Sequence, residues 1–406
     1  MAININAKTT GVGGLETSAD NSGNINIQSG GSTVMSVTSS GVAVTGSFSQ
    51  NGAVYSTQPS FRNLIINGDM RIDQRNGGSA VTSATNVYLT DRWQLQINGT
   101  TNTPSFQQVT DAPTGFQYSL KATSNGSETL PTNGAVTPRQ RIEGFNSAHL
   151  LYGTSNAKTV TISFWVKSSL TGTWTISIIN SSFNRSYIAE YTINSANTWE
   201  YKTVTITGDT AGTWNTDNTT GLIVQFPVDT DTILDATPNA WLAGNYRTTS
   251  GSNRLLGTSG ATWQVTGVQL EVGSTATDFE NLPYDVQLQR CQRYYYKLAN
   301  DSGAATACLF GNGSIQSSTQ LAGSIKFTTQ MRIPPTSMET TGTASDYRIW
   351  YAGNAAQNCT SLPLLSGVTS WGGRIYFTVS GGLTSGQAGH FRSTTTDAYL
   401  AWSAEL

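Results

Sequence analysis

Charge is scarce in this sequence. Asp, Glu, Lys and Arg together make up 11% of the 406 residues, against roughly 25% in an average globular protein. The net charge is −2, so the chain lacks the Lys/Arg excess on which a non-specific nucleic-acid binder depends. Histidine is scarcer still. Two His leave almost no material for a His-based metal or catalytic centre. The three Cys, Cys291, Cys308 and Cys359, are odd in number and not spaced as zinc ligands, which argues against a disulfide framework and for buried free thiols. No stretch approaches the ~20 apolar residues of a membrane span, so no membrane insertion is expected. "MAININAKTT" lacks the apolar core of a signal peptide, as in a protein made in a cytoplasm without an export tag.

What is present is alternation. In "TVTISFWVKSSLTGTWTISI" (159–178), Val160, Ile162, Phe164 and Val166 share one parity, as do Trp174, Ile176 and Ile178. The other parity is almost all Thr and Ser. Period-2 patterning marks half-buried antiparallel strands, and these apolar residues are expected in the core. An outer face of hydroxyls offers many neutral donors and acceptors and little long-range field. That suits polar recognition of glycans and close packing of identical chains.

Three regions follow from composition. Residues 1–60 are low in aromatics and carry short alternations, Ile25/Ile27, Met35/Val37 and Val42/Val44, between Gly- and Ser-rich turns. So little apolar surface cannot form a core alone, so the segment is either disordered or packed against copies of itself, and the regular alternation favours the second. "QNGAVYSTQPSF" reads as a linker ending at Pro59. Residues 61–290 are a succession of strands separated by Asn/Gly/Asp/Ser/Thr clusters, the pattern of a jelly-roll β-sandwich. The strand 199–207 breaks parity, because Val204 and Ile206 fall with Lys202 and Glu200; a β-bulge near 202–203 would repair it. "DVQLQRCQRYYYKL" (285–298) leaves helix and strand open. Residues 291–406 supply the strands of a smaller β-sandwich that ends inside a strand pattern. The fold class is therefore all-β: an oligomeric N-terminal segment, a central jelly roll and a C-terminal sandwich.

The landmarks "NLIINGDMRIDQRN", "DRW" (91–93), "SFWVKSSLTGTW", "TWEYKTVTITGDTAGTWNTDNTTGL", "GVQLEVGSTATDFE" and "CQRYYYK" come in an order that resembles bacteriophage tail-fibre and virion-appendage proteins, over roughly residues 63–298. The segment "LETSADNSGNINIQSGGSTVMSV" is similar to fibre shaft or attachment repeats, and "AYLAWSAEL" to fibre C-termini. The resemblance implies a homotrimeric virion protein, assembled in the host cytoplasm. It would attach to other tail proteins through its N-terminus and bind a host-surface glycan. A structural appendage such as a head fibre, whisker or adaptor is the alternative. The central region also resembles jelly-roll carbohydrate-binding modules. In those a structural calcium often sits near the domain termini, which would place Asp69 as a ligand; Thr266-Gly267 stands where that family often carries Asp.

Catalysis is not expected, and neither is any other cofactor. Glycoside cleavage needs two carboxylates flanking the sugar, and the acids here are scattered. "VDTDTILD", with Asp229, Asp231 and Asp235, lacks the Gly and closing Glu of a calcium loop and reads as a solvated turn. No G-x-S-x-G motif is present. For sugar binding the candidates are aromatic. Tyr347, Trp350 and Tyr351 stand in "SDYRIWYAGN", with Trp371 and Arg374 in "SWGGRIY". Trp165 lies on the Thr/Ser parity of its strand, and Trp214 in a turn. Packing under a neighbouring loop or subunit is the competing reading for each. Asp91 and Arg92 read as a structural pair or loop support. Arg139, Arg141, Arg290 and Arg293 read as cations serving hydrogen bonds between units.

Overall fold

The structure, a computed structural model, describes residues 3–7, 25–29, 32–38, 41–44, 48–50, 53–55, 60–82, 86–299, 308–352 and 355–406. The chain divides into two compact units, Met1–Arg62 and Asn63–Leu406. In the first, strands Ile3–Ala7, Ile25–Ser29, Ser32–Thr38 and Gly41–Val44 form one sheet in sequence order. The first pair is parallel and the others antiparallel. The alternations at Ile25/Ile27 and Met35/Val37 are strands, yet Ile25 stays exposed and Ile27, Met35 and Val37 only half-buried. Phe48–Gln50 and Ala53–Tyr55 pair as a hairpin, so the expected linker is in part a strand pair. The signal was Asn51-Gly52, the residue pair that two-residue hairpins favour. The remainder of that linker, 56–59, lies outside the described residues.

In the second unit two antiparallel sheets enclose the larger core. The front sheet runs Glu200–Ile206, Val160–Ser168, Thr262–Val272, Ser119–Thr123, Ser105–Val109. The back sheet has eight strands, with Gly172–Asn180 beside Thr220–Gln225 near its centre. Val160, Ile162 and Phe164 from the front and Trp174, Ile176 and Ile178 from the back are all fully buried in one cluster, as the alternation predicts. Phe164 packs edge-on against Tyr191 and Phe226, at 5.0 and 5.1 Å between centroids. The opening motif lies against the closing strand: Leu64 N–H donates to the Leu270 carbonyl (2.9 Å) and Val268 N–H to that of Gly68 (2.9 Å). A Cβ at position 68 would lie 2.1 Å from the Val268 oxygen, so only glycine permits this approach.

Four expectations are corrected. The hydroxyl residues Thr161 and Ser163 of the front sheet and Thr175 and Ser177 of the back sheet are all buried, so the Thr/Ser parity of this motif is largely covered rather than facing solvent. There is no bulge in Glu200–Ile206, which pairs with Val160–Ser168 in unbroken register from Ile206↔Val160 to Glu200↔Val166. Lys202 and Glu200 do point inward, and they satisfy each other at 2.6 Å. The run 87–97, "VYLTDRWQLQI", which reads as one strand in the sequence, is a hairpin, Val87–Thr90 and Trp93–Asn98, turned at Asp91-Arg92 with Arg92 at φ 71°. "VDTDTILD" is not a solvated turn throughout. Asp229 is buried, accepts from Leu256 N–H at 2.8 Å, and is pushed by burial up to about 6.

The ambiguous segment after residue 284 is a helix, Tyr284–Gln292, followed by the strand Tyr295–Ala299. A second core forms beyond it, between a three-stranded and a seven-stranded sheet. The last strand, Tyr399–Ser403, is the centre of the three-stranded sheet. Two buried polar contacts join the sandwiches. Glu405 pairs with Arg92 and, at 3.2 Å, with Arg75. Glu143 receives Arg293 at 2.6 Å and the Tyr294 hydroxyl at 2.6 Å. Asp91 and Arg92 therefore do not pair with each other. Asp91 accepts instead from Gln74 N–H at 2.9 Å, and the Arg92 guanidinium lies 3.6 Å from the Tyr294 ring centre.

Candidate glycan-binding groove

The outer face of the front sheet carries a groove of about 810 Å³. Register builds its floor. Antiparallel pairing sets Trp165 opposite Tyr201, Ser163 opposite Thr203 and Thr161 opposite Thr205. One rung is thus aromatic and two are hydroxyl, with Thr203 and Thr205 exposed and Thr161 and Ser163 buried beside them. The Trp165 and Tyr201 rings lie 5.4 Å apart at 49°, and Tyr201 is 44% exposed. The Thr161 and Thr205 hydroxyls are 3.3 Å apart. Phe116 and Phe279, edge to face at 5.1 Å, add a second aromatic pair, and the segment from Ser274 to Phe279 adds further lining.

Gly267 opens the groove. Its φ is +62°, and a Cβ there would fall 2.7 Å from Phe116 Cζ and 3.2 Å from Trp165 Cδ1. The register between Val160–Ser168 and Thr262–Val272 shifts beside it, between Ser163 and Trp165. Glycine here both accepts the left-handed backbone and leaves room between the two aromatic pairs.

Formal charge is nearly absent. Among the groove's lining residues Asp278 is the one charged side chain. The cation next along the outer parity, Lys167, is paired with Asp111 and lies over the Trp199 ring at 5.1 Å. Burial alone would raise the Asp111 pKa, but hydrogen bonds from Lys167 and Gln264 hold it below the usual carboxylate value. Rings for a pyranose face, with hydroxyls and amides around them, form a surface for a neutral polyol.

Of the residues singled out by sequence, Trp165 alone lines this groove. Trp214 packs edge-on against Tyr152 and Trp241, at 5.0 and 5.4 Å, with its indole N–H on the Ala211 carbonyl; it caps a satellite of the core. Tyr347 is wholly buried and donates its hydroxyl to the Tyr399 carbonyl at 2.7 Å, so it is a core residue and presents no ring to a ligand. Tyr351 is half-buried and accepts from Gln357 at 2.9 Å. Trp350 stacks on His390, Trp371 is 56% exposed in a hairpin turn, and Arg374 donates to the Tyr376 hydroxyl at 3.1 Å. These last three are not gathered in one cavity.

Asp69 fits a cation poorly. Its Oδ2 meets Arg71 at 2.9 Å, and burial raises its pKa. Its Oδ1 lacks a hydrogen-bond partner, but among the described residues no three His, Cys, Asp or Glu side chains converge. Calcium needs six to eight oxygens, and a guanidinium occupies the approach. Arg139 and Arg141 bond to Gln94, Gln96 and Thr220 within the back sheet. Tyr201, Phe116, Phe279 and Gly267 were missed by the sequence. The available signal was parity: Tyr201, Thr203 and Thr205 repeat the pattern of Trp165, Ser163 and Thr161.

No protein-family profile matches the chain, and a search of curated proteins returned no match. Solved structures do show likenesses. The enzymatically active domain of bacteriophage CBA120 tailspike protein 4 is 13% identical over 52% of this chain, with a TM-score of 0.30. This chain spans only 22% of that domain. A CBM4 structure is 15% identical over 51% of this chain and 98% of its own length, TM-score 0.29. The CBM22-1 xylan-binding domain of Paenibacillus barcinonensis Xyn10C is 9% identical over 50% of this chain and 99% of its own, TM-score 0.24. Identities and TM-scores this low are insufficient to transfer a function.

Proposed function

We propose that this protein is a non-catalytic glycan-binding adhesin of the phage tail-fibre kind, holding a neutral sugar chain in the front-sheet groove. The observation that carries the reading is the Trp165/Tyr201 rung beside two rungs of hydroxyls in an almost uncharged groove. Glycoside cleavage uses a pair of carboxylates across the sugar, whereas Asp278 is the one acid among the lining residues. Binding without chemistry is the simpler match. The half-buried apolar residues Ile27, Met35 and Val37 of the first unit favour self-association as a homotrimer, with that unit serving as the virion attachment.

The test is a titration of the full chain against soluble neutral polysaccharides: β-glucan, xylan, galactomannan and dextran. At least one should bind, and Trp165→Ala and Tyr201→Ala should each weaken it at least about tenfold while leaving the melting temperature in place. Equal binding by wild type and both variants would remove the groove from the mechanism, and no binding to any of the four would sink the neutral-glycan reading. Light scattering tests the assembly: a trimer is expected, and a monomer would overturn the fibre part.

A further inference from the structure

The charges of the C-terminal sandwich are segregated. Its described residues from Cys308 onward hold five cations, Lys326, Arg332, Arg348, Arg374 and Arg392, and four acids, Glu339, Asp346, Asp397 and Glu405. Arg332 is consumed at the join between the sandwiches, donating to the Ala404 carbonyl at 2.7 Å and the Asn218 carbonyl at 2.8 Å. The other four cations stand on strands of the seven-stranded sheet. Alternation fixes their side. Tyr347, Ile349, Phe391, Ile375 and Ile325 are buried inward, so Arg348, Arg392, Arg374 and Lys326 take the outer parity, with Trp350, His390 and Tyr376. No acid occupies an outer position on these strands. Glu339 accepts from Tyr295 at 2.9 Å and Glu405 pairs with Arg75. Asp397 lies in the turn before the last strand, and Asp346 in the 3-10 turn before Tyr347.

Of the fourteen cations from Arg71 to Arg293 eight pair with a carboxylate, whereas among the described residues none of these four does. Moreover, Arg348 and Arg392 are direct cross-strand partners, a like-charge juxtaposition that destabilises a sheet. Trp350 and His390 are the next rung outward, stacked at 6.1 Å and 18°, with the Arg392 guanidinium 4.9 Å from the indole centre. Trp350 Nε1 and Arg392 Nε are both shut off from solvent without an acceptor.

We infer that this outer face is a second ligand surface and that its ligand is an acidic polysaccharide, whose anionic groups take the counter-charge that no carboxylate among the described residues supplies. The span argues for a polymer. Arg392 and Arg374 stand on strands three places apart in the sheet, about 14 Å at the usual strand spacing, too far for a single anionic group to bridge. The centre of the face argues for sugar over protein. Asn312, Ser314, Ala322 and Ser324 lie between the cations, and the exposed apolar side chains Leu309, opposite Arg392, and Leu364, opposite Tyr376, stand on separate strands without forming the contiguous dry centre of a protein interface. Trp350 supplies the ring on which a pyranose stacks. The surface differs from the groove in position and in ligand charge, so either proposal can fail without the other.

The experiment is binding of the full chain to immobilised polygalacturonate (carboxylate) and dextran sulfate (sulfate ester), with dextran as the neutral control and a 20-bp DNA duplex as a non-sugar polyanion. The wild type should bind at least one acidic polysaccharide at about 50 mM salt and release it by about 500 mM. The double variant Arg348→Gln/Arg392→Gln should bind at least about tenfold more weakly with a melting temperature that is not lowered, because it relieves the like-charge rung. Trp350→Ala, which leaves every cation in place, should also weaken sugar binding, whereas Trp165→Ala should not. Binding of neither acidic polymer would overturn the proposal, as would undiminished binding by the arginine double variant. DNA bound as tightly as the sugars, with Trp350→Ala without effect, would reassign the face to general polyanion adhesion.

Discussion

Two sheets of one compact unit turn outward in opposite styles. On the two front-sheet strands that pair to make the groove floor the cations are answered, Lys167 by Asp111 and Lys202 by Glu200, and what is exposed there is the Tyr201 ring and the hydroxyls of Thr203 and Thr205. On the seven-stranded sheet of the C-terminal sandwich four cations go unanswered by any carboxylate among the described residues. The chain has few charges to place, so their placement is more informative than their number. One face is built to ignore ligand charge and the other to require it.

The comparison breaks first if the front sheet is oriented wrongly, and adjacent residues test that with the largest effect. Phe164 is fully buried between Tyr191 and Phe226, while Trp165 lines the groove. Phe164→Ala should cost about 3–5 kcal/mol in denaturant unfolding. Trp165→Ala should cost less than about 1 kcal/mol and act on binding instead. Reversed magnitudes would mean that the two faces had been exchanged. Next in size is Gly267→Ala. The left-handed φ and the 2.7 Å approach to Phe116 predict a loss of about 1–3 kcal/mol together with weaker glycan binding. A stable variant that bound normally would show that the groove floor does not need this glycine.

Much of this architecture is legible in the sequence, and the limits have physical causes. The buried faces at 160–166 and 174–178 could be read because period 2 is a local property. The groove could not, because it is made by register. Trp165 meets Tyr201 only through pairing of distant strands, and the inward Lys202–Glu200 pair disguised which side of its strand was outer. The tip aromatics failed differently. "YRIWY" carries rings on both parities, so periodicity alone could not say that Tyr347 is core while Trp350 is outside. The cationic face is likewise a property of pairing: Arg348 and Arg392 look unrelated until the strands align.

A smaller effect sharpens the contrast between charge answered and charge withheld. Asp91, at the turn between the first two back-sheet strands, is fully buried, and burial lifts its pKa from 3.8 to about 7 against the opposing pull of Arg75 and Gln74. The folded state therefore holds this proton more tightly than the unfolded state, and stability falls as pH rises from about 4 to about 7. Asp229, at about 6, has the same sign. Glu128 opposes them at the acid end. Burial raises its pKa slightly, but hydrogen bonds from Thr100, Thr101 and Asn102 bring it down to about 2, so its contribution holds above about 4.5 and is lost on further acidification. The melting temperature should peak near pH 5 and drop by roughly 2 °C or more by pH 8. In Asp91→Asn the fall between pH 5 and 8 should shrink. An identical slope in the variant would place the titrating group elsewhere.

The smallest effect expected is an absence of effect, and it discriminates between the two faces most directly. Raising ionic strength from about 0.1 to about 1 M shortens the screening length from about 10 to about 3 Å. The groove offers hydroxyls, four rings and one acid, so its affinity for a neutral glycan should change by less than about twofold across that range. The Arg348/Arg392 face should lose its acidic ligand over the same range, because counter-charge is its main means of attraction. Both curves can be measured on one preparation by calorimetric titration with a neutral and an acidic polysaccharide. A tenfold salt dependence at the groove would mean that its ligand carries charge and that Asp278 or the paired Lys167 takes part. A flat curve at the cationic face would mean that Trp350, rather than the arginines, dominates there.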